Sequence, residues 1–249
     1  MYALVTGASS GIGLEFARQL RQRGYRVLMV SNEAAVMDRA REIGAEGLVM
    51  DLGLPTSARE LYDYTRTHAM AIEVLVNNAG VYHDRDILDD SEAFTSLILN
   101  LHMHTPAMLC YYYGQEMRSR GKGYILNVCS VAAKISAQRL GTYGSTKAFL
   151  CSFTRALHIE LKPYGVYVTD VSPGAVDTGL YSIRPWMTKA GKALGIIVSP
   201  ERLVRRALRA LFRGRSKTTV PAVFWQVLTF LIQLMPTSAL RLIRRLRWF

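Results

Sequence analysis

Residues 6–13 read Thr6-Gly7-Ala8-Ser9-Ser10-Gly11-Ile12-Gly13, a glycine-rich stretch between a short apolar run and a longer amphipathic one. The apolar run at residues 3–5 predicts a strand, and the pattern over residues 11–23 predicts a helix. Glycines at such a turn let the backbone bend sharply and approach a pyrophosphate, which the free N–H groups of the helix N-terminus then hold. The stretch therefore predicts a nucleotide-binding first βαβ unit.

The same alternation continues along the chain. Apolar runs predict further strands at residues 26–30, 47–50, 74–76, 124–128 and 166–171. Helical stretches separate them, over residues 34–43, 56–68 and 92–119 and over a segment that ends near residue 162. Strands that alternate with helices indicate a parallel sheet covered on both faces. We predict an α/β fold, a Rossmann-type doubly wound parallel sheet in one domain spanning residues 1–249.

The charge of the chain is concentrated near its C-terminus. Of the net charge of +12, residues 201–249 carry +10, because eleven Lys and Arg stand there against one acid, Glu201. Arginines on helices without a nucleic-acid reading motif argue against nucleic acid as a partner. Three cysteines at positions without metal-ligand spacing predict no metal site and a reducing compartment. The first apolar run begins at Tyr2, so we expect no secretory leader and a cytoplasmic protein, or one peripheral on the inner membrane surface.

A second chemical signal is Tyr143 with Lys147, at i and i+4, where both side chains lie on one helix face. A phenol titrates near pH 10 and is a poor proton donor or acceptor at neutral pH. A cation one turn away favours the phenolate, so we expect Lys147 to lower the pKa of Tyr143. Ser130, thirteen residues upstream, could hold a carbonyl or alcohol oxygen while the proton moves.

Over residues 2–213 the chain resembles the short-chain dehydrogenase/reductase family. The resemblance is carried by motifs in the family's order: the glycine-rich turn, Asn77-Asn78-Ala79-Gly80, Asn100 in the fourth helix, Ser130, Tyr143 with Lys147, and Pro173-Gly174-Ala175-Val176-Asp177-Thr178. It implies that a nicotinamide cofactor exchanges a hydride with a carbonyl carbon while Tyr143 handles the proton. It also implies that Ser130 orients the oxygen, that Lys147 holds the nicotinamide ribose and that Asn100 holds a relay water.

The resemblance also implies a cofactor-binding set, with Asp51 as an adenine contact. The expected set is Gly7, Ser9, Ser10, Gly11, Ile12, Gly13, Ser31, Asn32, Asp51, Leu52, Asn78, Ala79, Gly80, Tyr143, Lys147, Pro173, Gly174, Val176 and Thr178. NAD-dependent members usually have an acid where Ser31 stands, and NADP-dependent members often have a base at the place of Ser10 or Asn32. The missing carboxylate favours NADP(H) over NAD(H), since nothing there repels a 2′-phosphate.

The last third of the chain departs from the alternating pattern. Residues 173–198 are apolar without clean periodicity, which predicts a substrate lid, and Ser199-Pro200-Glu201 predicts a helix start. Residues 218–249 form a basic amphipathic extension, in which residues 221–235 are apolar except for a stripe of Gln226, Thr229 and Gln233. Two interpretations stay open: a tail packed over the substrate mouth or a partner subunit, or an interfacial membrane anchor.

The sequence thus predicts an oxidoreductase acting on the carbonyl or secondary alcohol of a lipophilic small molecule, either steroid-like or 3-oxoacyl. The family often oligomerises through the helix around Tyr111 and the helix of Tyr143, so we expect a homo-oligomer. The competing interpretation is a non-catalytic nucleotide-binding or membrane-associated scaffold with the same fold.

Overall fold

The computed structural model of the protein describes residues 1–82, 84–135, 139–177, 191, 196–220 and 223–236. Seven strands of this part of the chain form one parallel sheet in the order β3-β2-β1-β4-β5-β6-β9. They are β1 (Tyr2–Thr6), β2 (Arg26–Ser31), β3 (Glu46–Val49), β4 (Ile72–Asn77), β5 (Gly123–Val128), β6 (Val166–Pro173) and β9 (Lys217–Val220). Two short strands, β7 (Ala175–Val176) and β8 (Ile197–Val198), pair separately. The predicted doubly wound α/β fold is confirmed.

Helices cover both faces of the sheet. Those described are α1 (Gly11–Gln22), α2 (Ala35–Glu42), α3 (Ser57–Thr67), α4 (Glu92–Leu99), α5 (Thr105–Arg120), α6 (Gly141–Leu161), α7 (Pro200–Phe212) and α8 (Val223–Leu234). Apolar residues of α1, α2 and α7 form the core on one face, and those of α3, α5 and α6 form the core on the other.

The alternation of side chains along each strand feeds both cores. Ala3 and Val5 of β1 join the first core, while Tyr2 and Leu4 join the second. All four are buried, as expected for a central strand of a parallel sheet. Because the chain runs from β1 to β2 and β3 and then returns to place β4 on the other side of β1, a crevice opens at the carboxyl ends of β1 and β4.

Two elements differ from the sequence-based expectation. The helix expected over residues 92–119 is interrupted at Asn100–His104 by a π-helical turn, where the N–H of Thr105 bonds to the C=O of Asn100. The seventh strand, Lys217–Val220, was not expected, and it continues the sheet by pairing Asp170 of β6 with Lys217. It therefore includes the start of the extension expected from residue 218. The second helix expected after Pro236, and most of the lid expected at 173–198, lie outside the described residues.

Candidate active site

A cleft of about 300 Å³ lies at the carboxyl edge of the sheet. It brings together thirteen of the residues expected from the sequence. These are Gly7, Ser10, Gly11, Ile12, Gly13, Asn78, Gly80, Ser130, Tyr143, Lys147, Pro173, Gly174 and Val176. Residues from five separate segments of the chain thus meet in one place.

The glycine-rich turn forms a tight backbone cradle at the start of α1. Gly7 and Gly11 have φ values of 62° and 55°, in the left-handed region that favours glycine. A Cβ on Gly13 would lie 2.0 Å from the carbonyl oxygen of Gly7, so no other residue fits there without movement. The turn thus leaves backbone N–H groups open at a helix N-terminus, which is the arrangement that holds a pyrophosphate. A dinucleotide fits this cradle.

Thr6 and Asn78 fasten the cradle to the end of β4. The hydroxyl of Thr6 accepts the backbone N–H groups of Asn78 and Ala79, each at 3.0 Å. The side-chain amide of Asn78 donates to the carbonyls of Thr6 and Gly7, each at 2.9 Å. These four bonds explain why the Asn-Asn-Ala-Gly motif accompanies the glycine-rich turn.

Tyr143 and Lys147 lie in the first two turns of α6 and face the cleft. The ammonium of Lys147 donates to the carbonyl of Val128 at 3.0 Å and lies 5.9 Å from the ring centroid of Tyr143. Ser130, just after β5, caps the following 3-10 turn by accepting the N–H of Ala132 at 3.1 Å. Its side chain also lies near enough to Tyr143 to lower the pKa of the phenol.

Burial raises the pKa of Tyr143 to about 12, and the nearby Ser130 side chain offsets only part of this rise. The expectation that Lys147 lowers the pKa of Tyr143 is therefore wrong for the protein alone. Tyr143 is 7% exposed, and Lys147 is itself buried, so its own pKa is lowered by desolvation. The phenol is held protonated, poised to donate rather than to accept.

His102 connects three segments behind the cleft. Its Nε2 accepts the N–H of Val81 at 3.0 Å, and its Nδ1 lies 3.0 Å from the hydroxyl of Thr146, which donates to the carbonyl of Tyr143 at 2.8 Å. An Nε2 that accepts fixes the neutral tautomer with the proton on Nδ1. Burial and then the charge of Lys147 lower the pKa of His102 well below its usual value, so it stays neutral.

Four expected cofactor residues lie outside the cleft lining, near the ends of β2 and β3. Ser9 and Ser31 are buried and hydrogen-bond to each other at 3.1 Å, and Asn32 beside them is exposed. Asp51 accepts the N–H of Gly53 at 2.9 Å. None of the expected cofactor residues at the end of β2 has a basic side chain.

The other expected residues also lie apart from the lining. Leu52 is buried, Ala79 supports the cradle through its backbone, and Asn100 is half-buried at the first position of the π-helical turn. Thr178 lies outside the described residues. Such a π-turn shifts the register of the helix by one residue, a feature found frequently at functional sites.

Sequence reasoning missed four lining residues: Val81, Tyr82, Val128 and Cys129. The ring of Tyr82 meets that of Tyr143 edge-on, with centroids 5.4 Å apart. Each of the four lies within two residues of a motif residue, so closeness in sequence was the signal available. His102 was missed as well, since its partners are distant in sequence.

A family model described as short chain dehydrogenase matches residues 1–186. The chain belongs to this family. Like other short-chain dehydrogenases it is an oxidoreductase, and the family binds nicotinamide dinucleotides.

Relatives of this short-chain dehydrogenase act on different substrates. A very-long-chain 3-oxoacyl-CoA reductase of Laccaria bicolor is 31% identical over 90% of this chain and 68% of its own length. A galactitol 2-dehydrogenase of Cereibacter sphaeroides is 32% identical over 71% of each chain. Among solved structures, a short-chain dehydrogenase from Sphingobium yanoikuyae in complex with NADPH has a TM-score of 0.77 at 27% identity and covers 93% of each chain.

Proposed function

We propose that the protein reduces the carbonyl group of a lipophilic substrate with NADP(H), and that Tyr143 transfers the proton. The observation that carries the proposal is the meeting of Ser130, Tyr143 and Lys147 with the glycine cradle in one cleft. Among enzymes of one fold, variable loops determine the substrate. The reaction type is determined by the proton-transfer residues Ser130, Tyr143 and Lys147.

The glycine cradle, Ser130, Tyr143 and Lys147 have distinct roles in this reaction. The bound cofactor would supply the hydride, held at the cradle of Gly7, Gly11 and Gly13. Ser130 orients the substrate oxygen, and Tyr143 donates its proton to that oxygen from a hydroxyl that is protonated at neutral pH. Lys147, whose ammonium is anchored on Val128, would bind ribose hydroxyls and stabilise the phenolate as it forms.

Replacing Tyr143 by Phe tests the proton transfer. Tyr143→Phe should lower kcat by about 100-fold or more, the usual range for a general acid, while cofactor binding persists. Tyr164→Phe is the matched control, because Tyr164 is 42% exposed and does not line the cleft. The change in absorbance of the nicotinamide measures turnover, and fluorescence titration measures cofactor binding. Unchanged turnover in Tyr143→Phe would assign the proton donor elsewhere.

We further propose that NADP(H) is preferred over NAD(H). No carboxylate stands at Ser31, whose hydroxyl donates to Ser9, and the exposed side chain of Asn32 beside it offers amide donors. Ser31→Asp should shift the ratio of kcat/KM values at least tenfold toward NAD(H), since a carboxylate repels a 2′-phosphate. A strong NAD(H) preference in the unmodified protein would refute this proposal.

For the substrate class we propose a 3-oxoacyl or steroid-like compound. The apolar residues of the expected lid, and the 3-oxoacyl-CoA reductases among the relatives, support a lipophilic substrate. A panel of 3-oxoacyl thioesters, steroid ketones and sugar-derived ketones, compared by kcat/KM, tests this. Highest activity on the sugar-derived ketones would contradict it.

We also propose peripheral contact of α8 with a membrane. None of the helices in the described part of the chain is long and apolar enough to cross a membrane. However, α8 exposes a row of apolar side chains, namely Phe224, Val227, Phe230, Leu231 and Leu234. Flotation with vesicles of anionic phospholipid should recover the protein but not Val227→Glu/Leu231→Glu. Equal recovery of both would exclude the contact, and a monomer produced by the double variant would instead assign this face to a homo-oligomer.

A homo-oligomer formed through α5 and α6 is a separate proposal. Tyr111 on α5 and Ile159 on α6 are 57% and 73% exposed, which is typical of an interface not yet covered. Sedimentation velocity of Ile159→Glu should show a smaller species than the unmodified protein. The same size for both would leave α5 and α6 out of the interface.

A further inference from the structure

A second cavity, of about 670 Å³, lies beside the outer edge strand β9 and away from the glycine cradle. Three cationic side chains converge on it: Lys134 from the turn after Ser130, Arg155 from α6 and Lys217 from β9. The remaining described lining is Gln226, Thr229, Phe230 and Gln233 of α8, so no carboxylate is found among the described residues that line it. We call this the cationic cavity.

The cations of this cavity repel one another. The pKa of Lys134 is lowered by burial and then by the nearby charges of Lys217 and Arg155. One carboxylate that all three cations influence, Asp170 of β6, is fully buried and hydrogen-bonds only through Oδ1, to Ser172. One buried carboxylate opposite three cations leaves an excess of positive charge. An anion in the cavity would relieve this repulsion.

The helix α8 presents its polar side to this cavity and its apolar side to solvent. Gln226, Thr229 and Gln233 line the cavity, while Phe224, Val227 and Leu231 are about half exposed. This is the reverse of an ordinary surface helix, which buries its apolar stripe. The amides of Gln226 and Gln233 therefore add hydrogen-bond donors to the three cations, whereas the hydroxyl of Thr229 already donates to the carbonyl of Trp225.

The same helix also reaches the active-site cleft. Trp225 packs on Gly174, where a Cβ would lie 2.2 Å from the indole nitrogen, and Gly174 lines the cleft. Along α6, Arg155 lies twelve residues after Tyr143, which is about 18 Å along the helix axis at 1.5 Å per residue. A substrate that spans both places must be long, with a reactive carbonyl at one end and an anion at the other.

Resting on the proposed function, we propose that the cationic cavity binds the phosphate groups of a coenzyme A thioester whose 3-oxo group lies at Tyr143. The pantetheine arm of such a thioester separates the carbonyl from the phosphates, as the two places are separated here. A steroid ketone has no group that the three cations would recognise.

Calorimetric titration with coenzyme A tests the cavity itself, in protein saturated with NADP⁺ so that the cradle is filled. Lys134→Gln/Lys217→Gln should weaken coenzyme A binding at least tenfold. The matched control, Arg206→Gln/Arg209→Gln, removes two charges from the exposed face of α7 and should leave binding unchanged. Thermal unfolding verifies folding, and if the double variant unfolds, the exposed Arg155→Gln gives the same test. Equal binding by all variants would overturn the proposal.

Kinetics then separate this proposal from the proposed function. With a 3-oxoacyl-CoA, the double variant should raise KM at least tenfold, while KM for the matching pantetheine thioester, which lacks phosphate, should not change. A rise for both thioesters would overturn a phosphate site. Charge-dependent coenzyme A binding without turnover of any thioester would keep the cavity and refute the proposed substrate. If the double variant instead loses binding to anionic vesicles and keeps its binding of coenzyme A, the cations bind lipid headgroups and the proposal is overturned.

Discussion

His102 should make the stability of the protein depend on pH through one neutral imidazole. The imidazole is 1% exposed and joins Val81 to Thr146 through its two nitrogens. His102→Ala leaves the part-buried N–H of Val81 and the buried hydroxyl of Thr146 without this partner, which costs about 1–3 kcal/mol for each group. We therefore expect the free energy of unfolding at pH 7.5 to fall by about 2–6 kcal/mol. His102→Gln, whose carbonyl can still accept from Val81, should lose about half as much.

The pH dependence gives the sharper test. Because the folded-state pKa of His102 is lowered, the unfolded chain takes up a proton below about pH 6.5 while the folded protein does not. The contribution of His102 is thus complete above that pH and is lost as the pH falls toward the folded-state value. The stability difference between the unmodified protein and His102→Gln should shrink by up to about 1.4 kcal/mol per pH unit below pH 6.5. Urea unfolding from pH 7.5 to 5.5 measures it, and a constant difference would refute a neutral buried His102.

Three further predictions concern glycines and cysteines. Gly13→Ala should weaken NADPH binding at least tenfold by fluorescence titration, because its Cβ would meet the carbonyl of Gly7 at 2.0 Å; undiminished binding would mean that the cradle is not the binding place. Gly114→Ala, where the nearest atom is 3.5 Å away inside a helix, should instead raise the free energy of unfolding by about 0.5–1 kcal/mol, and a loss in urea unfolding would contradict this. Hydrogen bonding from Cys129 lowers the pKa of Cys151 to about 7, whereas burial raises that of Cys110 to about 12. Iodoacetamide at pH 7.5 should therefore label Cys151 before Cys110, as followed by mass spectrometry. Earlier labelling of Cys110 would contradict the assignment of Cys151 as the more reactive thiol.

The parts of the site that the sequence predicted are those whose chemistry is local. A glycine-rich turn between a strand and a helix, and Tyr143 one turn from Lys147, each carry their geometry within a few residues. The alternation of apolar and amphipathic runs was likewise enough for the order of strands and helices over residues 2–173. Contacts within one turn of chain need no knowledge of packing.

What could not be predicted depends on packing between distant segments. Val81 and Thr146 are 21 and 44 residues from His102, so nothing local indicated their hydrogen bonds. The pKa of Tyr143 was predicted to fall because of one neighbouring charge, but burial by the rest of the fold raises it. Strand β9, Lys217–Val220, has one strongly apolar residue and forms because the edge of β6 is available to pair with it.

One helix forms a wall of two binding places, since Trp225 of α8 packs on Gly174 of the cleft while Gln226 and Thr229 border the cationic cavity. A ligand that moves α8 from one side therefore changes the affinity on the other. Thermodynamic linkage makes this coupling reciprocal. If a ligand in the cavity changes the affinity for the cofactor by some factor, the cofactor changes the affinity for that ligand by the same factor. The indole of Trp225 contacts Gly174, and the next residue, Gln226, borders the cationic cavity, so the fluorescence of Trp225 would report both binding events within a single titration.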